Sequence, residues 1–260
     1  MKMKPIILAL LLLLLGGVTP LYAWGPKGHD VVAYIAECHL SPKAARAVDR
    51  ALEGHSPVYV ANWMDNASHT PAYAYTKTWH YKNIDQGHTL ETMPQEPKGD
   101  ILTAINDLIE KLKSHELSPE EENVSLRMLI HLMGDLHCPM HAGRLSDLGG
   151  NRHEVKYFGK QSNLHSVWDS SIVESAHRWG YTEWQREVDR VSKKEEHMFT
   201  AGTPEEWFLE THALCSEIYD STPKGANLSY DYVAKYSPMI EAQLLRGGLR
   251  LARLLNEIYR

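Results

Sequence analysis

The sequence predicts a mainly α fold: a single helical domain carrying one small β-hairpin. Three observations predict it. Apolar residues recur at three- and four-residue spacing behind recognisable N-caps, only one short run has strand character, and no linker, internal repeat or low-complexity tract divides the chain. The first apolar run, Ile6 to Val18, has 13 residues, short of the about 20 that cross a bilayer. Lys2 and Lys4 precede it and Leu21-Tyr22-Ala23 follows, the layout of a secretory signal peptide cut after Ala23. Residues 1–23 are therefore expected to be removed, leaving 24–260 as a secreted or periplasmic domain with no membrane attachment.

Within that domain, Val31-Val32-x-x-Ile35 forms an apolar face after Gly28, and Ser41-Pro42 opens a second helix with Ser as cap and Pro at its first position. Ile101, Ile105, Leu108, Ile109 and Leu112 repeat at helical spacing behind Asp100. Ser118-Pro119-Glu120-Glu121 reads as a capping box for a helix through Leu126, Leu129, Ile130 and Met133, stopped by Pro139. Asn163 to Ala176, Pro204 to Tyr219 and Tyr230 to Ile258 are further helical stretches. Glu154 to Phe158 is the strand, after the turn Leu148-Gly149-Gly150-Asn151, and Glu91 to Gly99 is a polar loop.

The chain has 27 Lys and Arg against 33 Asp and Glu; losing Lys2 and Lys4 leaves 25 and a net charge of −8. So acidic a protein does not hold nucleic acid on a broad basic surface. Any phosphate it binds must meet local positive charge, which points to metal. Cys38, Cys138 and Cys215 allow at most one internal disulfide. All 15 histidines lie beyond residue 23.

Their spacing carries the chemistry. His131 and Asp135 are four apart, so on a helix both leave one face within about 6 Å of each other. Asp135 sits among Met133 and Leu136, where an unpaired carboxylate is costly and metal ligation removes the cost. His141 falls just past Pro139, and His165-Ser-Val-Trp-Asp169 repeats the His-x-x-x-Asp spacing. A mixture of imidazole and carboxylate suits zinc, whereas calcium and magnesium prefer oxygen alone. Cleavage after Ala23 adds the amine of Trp24, a nitrogen ligand whose ordinary pKa of about 7.7–8.0 lets a metal deprotonate it.

Trp24-Gly25-x-x-Gly28-His29, Trp63-x-Asp65, Trp79-His80-Tyr81, the run His131 to His141, Gly149-Gly150-Asn151 and Asn163-Leu-His165-Ser-x-Trp168-Asp169 resemble, in order, the S-one/P-one (S1/P1) nuclease family, related in fold to zinc phospholipase C. The resemblance runs from Trp24 to about Asp169 and implies a secreted, zinc-dependent nuclease with three Zn2+. One zinc falls on Asp65, His80, His131 and Asp135. A second falls on Trp24, His29 and Asp135, and the third on His141, His165 and Asp169. Three carboxylates against three divalent ions leave a local charge of +3, enough to focus one phosphodiester on the site. The implied reaction is hydrolysis by a metal-activated water, giving 5′-phosphate products from single-stranded DNA and RNA, with 3′-nucleotides as further substrates. A monomer without a stable protein partner is expected.

Tyr81 and Leu148 take the positions where the family holds a base between an aromatic and an apolar residue. Beside Asp135, the catalytic candidates are Asn83, which replaces the family's Asp and cannot accept a proton, and Asp85 two residues on. The family's basic phosphate clamp is absent, with Ser68 and His69 in its place. His137 is expected in packing, Trp168 in the core, and His153 at the surface. A zinc phospholipase C-like phosphodiesterase and a non-catalytic zinc-binding protein are the alternatives; Asp169 and the Gly-Gly-Asn turn favour the nuclease.

Overall fold

A computed structural model of the chain describes residues 24–260, so the expected leader and its cleavage lie outside the described residues. Helix α1 (Pro26–Cys38) starts on Gly25 with Pro at its first position and buries His29, Val31, Val32 and Ile35. Helix α2 (Pro42–Ala51) begins at Ser41, whose side chain accepts the Ala44 N–H as its sequence requires. Two short helices that sequence periodicity does not announce, α3 (Pro57–Val60) and α4 (Trp63–Ala67), follow, and the second carries Asp65. A 3-10 turn (Ala74–Thr78) leads into Trp79 and His80.

Helix α5 (Ile101–Ser114) is capped by Asp100, which accepts the N–H groups of Leu102 and Thr103. Helix α6 (Pro119–Asp135) opens on the Ser118–Glu121 capping box. It ends at Asp135, earlier than the proline; Pro139 instead begins a 3-10 turn (Pro139–Ala142) that brings His141 back to the helix end. After the turn Leu145–Asp147, strands β1 (Glu154–Tyr157) and β2 (Lys160–Asn163) form the hairpin around Phe158 and Gly159, both at positive φ as a two-residue hairpin turn demands. A two-residue strand β3 (Asn227–Leu228) adds parallel to β1, so the hairpin is part of a three-stranded sheet.

The stretch from Asn163 to Ala176 is helical as expected, but it passes from α7 (Leu164–Ser166) through a π turn (Val167–Ser171) to α8 (Ile172–Ala176). The π turn holds Asp169, consistent with such bulges marking functional positions. Helices α9 (Tyr181–Val188), α10 (Lys193–Thr200), α11 (Pro204–Ser221) and α12 (Tyr230–Ile258) complete the chain. Among the described residues no helix is long and apolar enough to cross a membrane.

Helix α12 forms the floor of the core. It packs against α1 and α6 and buries Leu244, Leu251 and Leu255, and Trp168 is fully buried, donating to the Tyr232 hydroxyl at 2.8 Å. His153 corrects the surface expectation: it is buried, and its Nε2 donates to the Thr222 carbonyl at 2.7 Å. The hairpin folds back onto the end of α11, a long-range contact that strand alternation does not encode. All three cysteines are unpaired.

Gly248 lets α12 and α1 approach: a Cβ there would stand 2.4 Å from Ile35 Cβ and 3.0 Å from the Val32 carbonyl. Gly248→Ala is therefore expected to cost about 2 kcal/mol through overpacking, lowering the melting temperature by about 4–8 °C in a calorimetric scan. An unchanged melting curve would contradict the close packing of these helices.

Candidate metal centre

Asp135, fully buried at the end of α6, is the point on which the predicted ligands converge. Its Oδ2 lies 3.0 Å from His80 Nδ1 and 3.2 Å from His131 Nε2. Its Oδ1 lies 3.4 Å from His29 Nε2 and 3.7 Å from His141 Nδ1. Asp65 joins from α4, its Oδ1 being 3.4 Å from His131 Nε2 and 3.8 Å from His80 Nδ1. On the other side, His141 Nε2 lies 3.5 Å from Asp169 Oδ1, and the rings of His141 and His165 are 5.0 Å apart.

Local structure explains the orientations. His131 Nδ1 donates to the Ala61 carbonyl at 2.7 Å, His141 Nδ1 to the His80 carbonyl at 2.7 Å, and His165 Nδ1 to the Gly149 carbonyl at 2.8 Å. Each bond fixes a tautomer in which Nε2 is the basic nitrogen, the arrangement that metal-binding imidazoles use. His29 stacks on His131 at 4.0 Å and passes so close to Gly134 that a Cβ there would sit 2.6 Å from its Nδ1. Trp24 is buried against α1, with Gly28 leaving room for its ring, and the Gly25 N–H donates to the Asp169 carbonyl at 2.5 Å. The start of the described chain therefore lies alongside Asp169.

Among the described residues three groups could hold a metal ion: His29, His131 and Asp135; Asp65, His80 and His131, which shares His131 with the first; and Cys138, His141 and Asp169. The fit to cations is tested by orphaned atoms. His29 Nδ1 and Nε2, His80 Nε2, Asp135 Oδ1 and His141 Nε2 are buried and make no hydrogen bond. Such groups are rare in folded proteins, and a divalent cation suits this mixture of nitrogen and oxygen donors. Cys138 was missed by sequence spacing. Its Sγ lies 3.9 Å from Asp169 Oδ1, and its place inside the His131–His141 run was the available signal.

The electrostatics follow from burial opposed by close partners. Burial works against a charged Asp135, but His131 and His141 outweigh it and hold the carboxyl well below its ordinary range. Burial likewise opposes protonation of His131, yet Asp135 and Asp65 raise it well above 6.5. For His141, burial is overcome by Asp135 and Asp169, which raise it to about 9. His29 goes the other way, lowered to about 4 by burial and by the neighbouring His131. Burial pushes Asp169 well up, with His141 opposing.

The remaining candidates flank the cluster. The Lys82 N–H donates to the His141 carbonyl at 3.0 Å and the Ile84 N–H to the Gly143 carbonyl at 2.8 Å, so residues 81–84 run along the His141 turn. Asn83 carries a buried Oδ1 without a hydrogen bond, facing Gly149. Asp85 does not reach the cluster: its Oδ1 accepts the Ser146 N–H at 3.0 Å and hydroxyl at 2.8 Å. Half-buried Tyr81 lines a pocket whose wall from the 145–148 loop is Leu145, while Leu148 stands exposed at φ +57°. His137 is packing, as expected: its Nδ1 donates to the Met133 carbonyl at 2.8 Å and Arg250 Nη1 donates to its Nε2 at 3.0 Å.

A family model described as S1/P1 Nuclease matches residues 24–260. The chain is 28% identical to Nuclease S1 of Aspergillus oryzae, the match covering 91% of this chain and 92% of that protein. It is 27% identical to Nuclease P1 of Penicillium citrinum, over 91% of this chain and 98% of that one. Endonuclease 2 of Arabidopsis thaliana is 27% identical, over 92% and 91%.

The raised His141 has a measurable consequence. In the metal-free protein its proton adds stability in full below its ordinary 6.5, and that contribution is lost as pH rises through about 9. A cation must displace the same proton. Metal affinity is thus expected to climb with pH up to about 9 and level off above it. Titration calorimetry in two buffers of different ionisation enthalpy checks this: metal uptake at neutral pH without proton release would contradict the assignment.

Proposed function

The chain belongs to the S1/P1 nuclease family, and from that premise we propose that it is a secreted endonuclease using three zinc ions to hydrolyse single-stranded DNA and RNA to 5′-phosphate products, with 3′-nucleotidase activity on free nucleotides. As a member of that family it is a hydrolase of phosphodiester bonds. The observation that supports the finer reading best is the convergence of His29, Asp65, His80, His131, His141 and Asp169 around Asp135, with buried donor atoms left over on four of these seven groups. The match to the family model over residues 24–260 favours a nuclease over a phospholipase.

In this reading Asp65, His80, His131 and Asp135 hold one zinc. His29, Asp135 and the amine and carbonyl of Trp24, freed by removal of residues 1–23, hold the second. His141, His165 and Asp169 hold the third. When bound, the ions supply a water nucleophile near neutral pH and neutralise the charge that builds on the phosphate. The protein's own side chains then do the positioning. Asp135 ties the two halves of the site together, its oxygens facing His80 and His131 on one side and His29 and His141 on the other. Tyr81 offers a face on which an unstacked base rests, and Leu148 an apolar contact at the exposed rim. Stacking tolerates any sequence, as single-strand binding requires. Asn83 orients the attacking water through its amide without taking its proton. Asp85 acts one step back: by holding Ser146 it fixes the loop that carries Leu148.

The mature protein is expected to carry three zincs per chain by atomic absorption and to release acid-soluble nucleotides from heat-denatured DNA. In Asp135→Ala, the loss of at least one zinc and at least about a hundredfold of activity is expected, more than the removal of an outer-sphere partner costs. Near-complete activity in that variant would defeat the reading. For Tyr81→Ala, loss of one stacking contact predicts KM for denatured DNA about tenfold higher with a smaller change in kcat, read from initial rates.

A further inference from the structure

The polar loop between Glu91 and Gly99 has no part in the metal centre, yet it closes a pocket directly beside it. The pocket, of about 150 Å³, is lined by Tyr81, Asn83, Leu145, the buried Met93 and Glu96. Its inner wall is continuous with the metal centre, because Tyr81 follows His80 and residues 82–84 hydrogen-bond to residues 141–143. Tyr81 and the 91–99 loop line one pocket, so a base resting on Tyr81 would lie beside that loop.

That loop is held in place. Trp79 Nε1 donates to the Lys98 carbonyl at 2.8 Å, the Thr78 hydroxyl to the Gly99 carbonyl at 2.8 Å, and the Gly99 N–H to the Glu96 carbonyl at 2.9 Å. The two carboxylates in the pocket differ in kind. Asp100 is buried and paired with Lys82, so its charge is already met. Glu96 has no ion-pair partner among the described residues; its Oε1 accepts only the Lys98 N–H, at 3.3 Å. It lines the same pocket as Tyr81.

We propose that this pocket is a guanine subsite and that Glu96 sets its specificity. The inference rests on the nuclease reading above. A carboxylate has two acceptors side by side and no donor. Guanine is the one common base whose Watson–Crick edge offers two adjacent donors, N1–H and N2–H, so it alone makes two parallel bonds to that group. Adenine and cytosine each place a ring acceptor beside their amino group, where it opposes the charge. Uracil and thymine flank their single N–H with carbonyls. Stacking on Tyr81 accepts every base, and Glu96 adds the selection.

The test uses the zinc-loaded mature protein on two series of ribodinucleotides, NpU and UpN, so that either side of the scissile phosphate can present the variable base. In one of the series the guanine member is expected to have kcat/KM about tenfold above the other three, the discrimination of one good bidentate base contact. In Glu96→Gln, which keeps the size but places a donor at the same point, that ratio is expected to fall toward one. Equal rates in both series, or a guanine preference that survives in Glu96→Gln, would overturn the assignment while leaving the nuclease reading intact. Failure to cleave any dinucleotide while denatured DNA is degraded would overturn this inference alone; failure on both substrates would overturn the nuclease reading with it.

Discussion

A carboxylate at the C-terminal end of a helix, fully removed from water, is the constraint around which this protein is built. The negative end of the helix dipole and the loss of hydration both disfavour a charge on Asp135. Desolvation of this kind costs several kcal/mol and is offset only by close, well-aligned partners. His80 and His131 supply them at Oδ2, 3.0 and 3.2 Å away, while Oδ1, with His29 and His141 at 3.4 and 3.7 Å, is left without a hydrogen bond. The four imidazoles come from different places in the chain: His29 from α1, His80 from just beyond the Ala74–Thr78 turn, His131 from α6 itself and His141 from the 3-10 turn after it. The packing of α1 on α12 and the early end of α6 therefore both bear on how that one charge is met.

The same constraint accounts for the shell around the ligands. Backbone carbonyls of Ala61, His80 and Gly149 receive the outer nitrogens of His131, His141 and His165, so the tautomers are set by main chain rather than by mobile side chains. Behind them, His137 is kept neutral, lowered to about 3 by burial and by the adjacent Arg250. It serves as an acceptor for Arg250, and the Gln243 amide donates to its carbonyl at 3.0 Å. These bonds tie the segment between Asp135 and His141 to α12. Positional precision at the centre is thus supplied by long-range contacts, which hold ligands better than loop conformation alone.

Much of this was legible in the sequence, for reasons that differ from residue to residue. Caps at Ser41, Asp100 and Ser118 announce helices because a side chain must satisfy the first N–H groups, and all three do so. His131 and Asp135 were legible as a pair because a helix places residues four apart on one face. The joining of Asp65 and His80 to that pair has no local rule behind it, and only the ordered motifs pointed there. The buried place of His153 and the third strand were not legible, since each depends on a contact between segments distant in sequence. Asp85 shows the opposite limit: its spacing suggests chemistry, but the hydroxyl and N–H of Ser146 claim its charge.

An enzyme for polyanions that carries a net charge of −6 over its full sequence needs its attraction to be local. The side chains that might have spread it are committed elsewhere. Lys82, beside Tyr81, is buried in its pair with Asp100. In the clamp position, the Ser68 hydroxyl and His69 Nδ1 both donate to the Asp65 carbonyl, at 3.0 and 2.8 Å, and so brace the turn that carries Asp65 rather than reach outward. In the proposed reading, binding divides between the cations, which would hold one phosphate, and the Tyr81 pocket, which would hold one base. A duplex keeps its bases stacked and cannot supply the second contact without paying to unstack, whereas a single strand presents an unpaired base at small cost. In the proposed reading, the commitment of these side chains and a preference for single strands are thus two results of one arrangement.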